Sequence, residues 1–162
     1  MAERDAHAER EEGRRSSRRV EPAADPLGQG PVSLFLGVDA EPALLVLVRH
    51  TVRVWLGGVG CPGSAARPIV YVVDEAVGNA IEHAYGERAG RLTVELTVEH
   101  GRPRRLRVCV VVTDFGRWRP EDPDRDRGNG LALIRALADS VHVVTGRAGT
   151  RVTVRLDVAV AS

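Results

Sequence analysis

Glu75 and Asn79 stand four residues apart, and Glu82 follows three further on, in the run Asp74-Glu75-Ala76-Val77-Gly78-Asn79-Ala80-Ile81-Glu82-His83-Ala84-Tyr85. On a helix these positions share one face. A carboxylate and an amide one turn apart can hold a divalent cation and a water or hydroxyl. An ordinary solvated helix face carries the same pattern. Gly78 weakens such a helix by about 1 kcal/mol relative to alanine, which suggests close approach of a strand or a ligand. A second segment, Thr113-Asp114-Phe115-Gly116, closes an apolar stretch. A carboxylate there can accept a hydrogen bond from an exocyclic amine, and Gly116, lacking a Cβ, lets a flat ring lie against the backbone. A plain Asp-x-Gly turn has the same letters. Third comes Gly128-Asn129-Gly130-Leu131. Glycines before a helix expose free N–H groups at the positive end of the dipole, where phosphates settle. Last, Gly149-Thr150 brings a hydroxyl to the start of a strand, where it can support Asp114 or a water beside it.

The elements that must position these groups are legible in the periodicity. Val32 to Val38 reads as a strand, and Asp39 as an N-cap with Pro42 in the first turn. Ala43 to Leu56 has helical length and stops at Gly57-Gly58. Ser64 can cap a second helix running to about Tyr85, with Ile69, Val73, Ala76, Val77 and Ala80 directed at a sheet. Leu92, Val94, Leu96 and Val98 alternate with polar residues, and so do Leu106, Val108, Val110 and Val112. That predicts a hairpin with one buried and one wet face. A loop follows to Gly130, then a short helix from Leu131 to Asp139, then a hairpin of 141–145 and 151–158. The order is β-α-α-β-β-loop-α-β-β. It predicts a two-layer α/β sandwich, a mixed but mostly antiparallel sheet covered on one face by three helices.

Composition narrows the choices. At 162 residues the chain suits one domain plus a tail. Residues 1–30 are charged and short of large apolar side chains, the composition of a disordered tail, which leaves 31–162 as the domain. Hydrophobic residues make up 43% while aromatics are scarce, so the core must be built from Val, Leu, Ala and Ile. No apolar run reaches the roughly 20 residues that span a bilayer, and no signal peptide opens the chain, so residence in the cytoplasm is expected. Cys61 and Cys109 match no metal spacing. Net charge is +1, which argues against a nucleic-acid footprint. All 23 basic residues are Arg. A Walker-type phosphate loop needs its Lys, so that route to nucleotide binding is closed.

Each motif alone is weak, but their order is not. Glu-x-x-x-Asn on a helix, Asp-x-Gly after a strand, Gly-x-Gly-Leu before a helix and Gly-Thr on a strand together resemble the nucleotide site of the GHKL (Bergerat-fold) ATPase superfamily. Glu75-Ala76-Val77-Gly78-Asn79-Ala80 followed by Glu82-His83-Ala84-Tyr85 resembles its anti-sigma-factor serine/threonine kinase branch, the RsbW and SpoIIAB relatives. The resemblance covers residues 32–158. It implies that Asn79 coordinates Mg²⁺ and that Glu75 is the general base toward a substrate serine. It implies that Asp114 reads the adenine of ATP or ADP, with Gly116 beneath the ring and Thr150 in support, and that Gly128 and Gly130 cradle phosphates. The implied partners are a sigma factor and an anti-anti-sigma protein of the STAS type, and the implied assembly is a homodimer.

Two features depart from that pattern. Only 11 residues separate Gly116 from Gly128, fewer than family lids often have. With no Lys, any transition-state cation must be an arginine, and Arg125 and Arg127 are nearest; loop solubility explains them equally well. The alternative is a non-catalytic module that binds nucleotide and sequesters a partner. A sensor histidine kinase is disfavoured, because the chain leaves no room for a helical hairpin carrying a phospho-accepting His. Because the motifs begin well beyond the tail, a shortened protein lacking residues 1–30 is expected to keep its melting temperature and its nucleotide affinity. Thermal melts and calorimetry on the shortened and full chains check this.

Overall fold

The computed structural model of the chain describes residues 30–85, 88–100, 104–116 and 130–160. Among them, β1 (Val32–Asp39) leads through a 3₁₀ turn (Pro42–Leu44) into α1 (Leu45–Gly58) and then α2 (Gly63–Asn79). A π-helical turn (Ala80–Tyr85) extends α2 before β2 (Arg91–His100) and β3 (Arg105–Asp114). α3 (Gly130–Leu137), β4 (Ser140–Gly146) and β5 (Gly149–Ala159) complete the order. The strands form one five-stranded sheet in the order β1-β2-β3-β5-β4. Every pairing is antiparallel, so the sheet has no parallel component. α2 lies between α1 and α3 and against β2, β3 and β5, which gives the two-layer α/β sandwich expected.

Alternation decides which face the helices cover. Register pairs Val94 with Val112, Leu96 with Val110 and Val98 with Val108, and all six side chains are buried. Val154 and Leu156 of β5 continue that face. From above, α1 contributes Val48, Val52 and Leu56 at four-residue intervals, and α2 contributes Ile69, Val72, Val73, Ala76 and Val77. The core is aliphatic throughout, as the shortage of aromatics required. Cys61 joins it as a small apolar filler, and burial pushes its thiol pKa up. Cys109 is half-buried, and neither cysteine is paired.

Several local expectations are corrected. Asp39 does not cap a helix, because the ladder with β2 runs on through it to Arg91; Glu41 precedes the 3₁₀ turn and caps it with no side-chain bond. Ser64 lies inside α2, and Pro62 takes the N-cap position with extended backbone. Gly57 and Gly58 are the last residues of α1, not residues beyond it. The second helix keeps its α geometry only to Asn79 and then widens into the π turn. Leu96 is fully buried at the centre of the sheet. Leu96→Ala is expected to cost about 2–5 kcal/mol through lost burial and a residual cavity, read as a lower urea midpoint at unchanged slope.

Candidate functional site

Asp114 sits where the period of two runs on past the last apolar residue of β3. Leu106, Val108, Val110 and Val112 point inward, and so does Asp114, opposite Leu92. It is only 4% exposed. The β3–β5 ladder ends at Thr113 and Arg151. One step further, the Thr150 N–H donates at 3.1 Å to the Asp114 side chain through Oδ1. The Gly116 N–H donates to the same oxygen at 3.1 Å. Burial raises the Asp114 pKa above the ordinary carboxylate range, and the two backbone N–H donors pull it back only in part. The Thr150 hydroxyl lies beside the carboxylate and favours its charge without reaching hydrogen-bond geometry, so Oγ1 is a buried atom without a partner. Gly149 brings β5 in with φ +126, and a Cβ there would overlap the Asp114 carbonyl oxygen. Only glycine tolerates both conditions.

Over this carboxylate lies an apolar slot. Its walls are Ala76 and Ala80 of α2, Leu131 and Ile134 of α3, and Val112 and Val152 of the sheet, with Asn79 and Thr150 at its edge. Its free volume of about 20 Å³ is close to that of one water.

A larger groove of about 670 Å³ opens beside it, between α1 and α2. Glu75, Gly78 and Asn79 of α2 and Glu82 of the π turn line it, as their shared helix face predicts, together with Gly130. The fit at Gly130 is tight: a Cβ there would overlap Glu75 Oε2 and come within 3.5 Å of Asn79 Nδ2. The lack of a side chain at Gly130 thus leaves room for the Glu75 carboxylate beside it. Asn79 lines both the slot and the groove. Glu75, Asn79, Gly130, Asp114, Thr150 and Gly116 are accordingly gathered at one end of α2. Gly128, Arg125 and Arg127 lie outside the described residues.

Two glycines differ in what surrounds them among the described residues. Gly78 meets nothing within 4 Å of its would-be Cβ. No strand of the described residues approaches it, and it lines the groove. Gly116 carries a backbone contact of its own, since a Cβ there would stand 2.6 Å from the Ala84 carbonyl oxygen. Residues unmarked by the motifs also enter. Arg49, Arg53 and Arg67 line the groove. Arg49 Nε bonds Asp74 Oδ2 at 2.7 Å, while Asp74 Oδ1 is buried without a partner. Two arginines at i, i+4 inside the apolar run of α1 were a signal available in the sequence.

Comparison with known proteins accords with this arrangement. The histidine kinase-like ATPase domain family matches residues 38–156. The chain belongs to that family, which makes it a nucleotide-binding domain of the ATPase type. It is similar to the RsbU and RsbW domains of Rv1364c from Mycobacterium tuberculosis, at 26% identity and a TM-score of 0.59, over 81% of this chain and 34% of that one. The chain thus spans about a third of the length of that structure. The blue-light activated histidine kinase EL346 of Erythrobacter litoralis aligns over 59% of this chain and 31% of its own, at 32% identity and a TM-score of 0.42. The resemblance to the GHKL superfamily and its anti-sigma kinase branch is borne out.

The raised pKa of Asp114 has a definite sign for stability. An acid whose folded pKa exceeds its unfolded one binds its proton more tightly in the fold. Its contribution to stability falls as pH rises from the ordinary aspartate range through the raised value. Asp114→Asn keeps an acceptor for both N–H groups and removes the buried charge. The variant is expected to be at least as stable as the parent at neutral pH. That advantage should shrink as pH falls toward the aspartate range, as urea titrations at pH 7.5 and about pH 4.5 would read.

Proposed function

We propose that the chain is an ATP-dependent serine kinase of the anti-sigma type. The observation that carries the reading is the place of Asn79, which borders both the slot over Asp114 and the groove holding Glu75. Adenine recognition and phosphate chemistry then adjoin at one residue. Asp114 accepts the adenine amine through the oxygen that its backbone donors leave available. The unpartnered Thr150 hydroxyl suits a water or ring nitrogen at the same place. Gly116 closes the turn beneath the ring. Gly130, at the N-terminus of α3, offers its N–H to the phosphates, with Gly128 just before it.

Asn79 would hold Mg²⁺, an ion that takes one or two protein groups and fills the rest of its shell with phosphate oxygens and water. Bound there, it would neutralise charge on the phosphates. The acceptor is a serine hydroxyl entering along the groove. Its oxygen forms a bond to the γ-phosphorus, the bond from that phosphorus to the bridging oxygen breaks, and ADP leaves with the electron pair. Glu75 takes the hydroxyl proton. The groove's Arg49, Arg53 and Arg67 favour an acceptor surface carrying acidic groups.

Similarity to a structure with an RsbW domain supports the anti-sigma reading, and with that reading come a regulatory partner of the STAS type and a sigma factor. The same reading has a homodimer working in the cytoplasm without contacting nucleic acid. Among the described residues no helix is long and apolar enough to cross a membrane. The short span between Gly116 and Gly128 favours a second reading, a non-catalytic module that binds nucleotide and sequesters its partner.

Calorimetry with ATP, ADP and Mg²⁺ tests the site, and radiolabel transfer to a STAS protein tests the reaction. Glu75→Gln is expected to lower transfer by about 10²–10⁴-fold, the contribution of a positioned base, while leaving ATP affinity near that of the parent. Asn79→Ala should impair both. Equal transfer by parent and Glu75→Gln would remove Glu75 from the mechanism. ATP binding without transfer would favour the module.

A further inference from the structure

Tyr85 closes the π turn at the end of α2 and lines neither the slot nor the groove. Its hydroxyl nevertheless ties together two segments that meet beside Asp114. It donates to the carbonyl oxygen of Arg91, at the start of β2. It accepts the N–H of Phe115, one residue past β3, at 2.7 Å. A phenol has one donor and acceptor lone pairs, so it can serve both partners at once; phenylalanine can serve neither. The ring is seated by contact, because a Cβ at Gly90 would overlap it. The turn it holds is pressed against the same helix end, through the approach of Gly116 to Ala84.

The consequence reaches Asp114 by a short path. The Phe115 N–H is held by Tyr85, the next N–H belongs to Gly116, and that one donates to Asp114 Oδ1. Moving the Phe115 amide moves the donor that orients the carboxylate. Tyr85 also ends the helix that carries Glu75 and Asn79, so it relates the base-reading carboxylate to the residues of the groove. We infer that Tyr85 is a positioning residue for nucleotide selectivity, acting through the turn Asp114-Phe115-Gly116. The inference rests on the reading of Asp114 as the adenine-recognising group.

Phe115 is largely exposed, so water can replace the hydroxyl at its amide, and Tyr85→Phe retains the ring on Gly90. The variant should therefore fold. The test is a cycle of full-length parent, Tyr85→Phe, Asp114→Asn and the double variant. Calorimetry is run with ATP and with inosine triphosphate, which carries a carbonyl in place of the adenine amine. Tyr85→Phe is expected to weaken ATP about 2- to 10-fold, the worth of one hydrogen bond, and to leave inosine triphosphate nearly unchanged. In the Asp114→Asn background it should have no further effect, because coupled residues are not additive. Equal weakening of both nucleotides, full additivity in the double variant, or parent-like selectivity in Tyr85→Phe would each overturn the inference while Asp114 kept its role. A parent that binds no ATP would overturn the site reading and this inference together.

Discussion

A carboxylate at the end of an apolar strand face is the constraint around which this fold is arranged. Asp114 occupies a position that periodicity would give to another valine, and burial there disfavours its charge. Two backbone N–H groups at 3.1 Å oppose that cost. Hydrogen bonds to charged groups are worth about 1.5–3 kcal/mol each, yet the pKa remains raised, so desolvation wins. To supply even this compensation, β5 must present the Thr150 N–H to the side chain, and Gly149 at its start must pass almost in contact with the Asp114 backbone. The turn after β3 must fold back sharply enough for the Gly116 N–H to reach the same oxygen. The register of β3 against β5 and the course of the following turn answer to one polar group.

α2 is the second organising element, and it faces two ways. One side is aliphatic and joins the core. The other carries Glu75, Gly78 and Asn79 along the groove, with Glu82 of the π turn beyond them. The alanines at 76 and 80 keep the helix slim where the slot passes beneath it. The ion pair of Arg49 with Asp74 joins α1 to α2 at the groove's rim. The Asp74 side chain is only 20% exposed, so the pair is part-buried. It fixes where the Arg49 guanidinium stands at the groove. A net charge of +1 conceals this local concentration of arginine.

How far the candidate site was legible depended on how local each signal was. The i, i+4, i+7 spacing of Glu75, Asn79 and Glu82 needed only helical geometry, and the three do line one groove. The position of Asp114 after an alternating strand put it at a sheet end. Three features escaped that reasoning. Nothing local marked Gly130 as the glycine that would meet the Glu75 side chain. The helix was expected to run unbroken to Tyr85, but its last turn widens, and the Tyr85 hydroxyl meets Arg91 and Phe115 there. The arginines of α1 stood out as charges at i, i+4 in an apolar run, but nothing local showed that they would line the same groove as Glu75.

By itself, then, the sequence determined the element order, the inward face of each strand and helix, and the residue types available for chemistry. Those are consequences of periods of 2 and 3.6 acting over a few neighbours. The tertiary structure decided which groups meet. Thr150 meets Asp114 through the pairing of β5 with β3, Gly130 meets Glu75 through the packing of α3 on α2, and Phe115 meets Tyr85 where the end of β3 reaches the π turn. Whether Asp114 became a solvated turn residue or a buried carboxylate with a raised pKa was settled by the same packing. Burial is a property of what covers a residue, and the covering atoms here come from elements dozens of positions away in the chain.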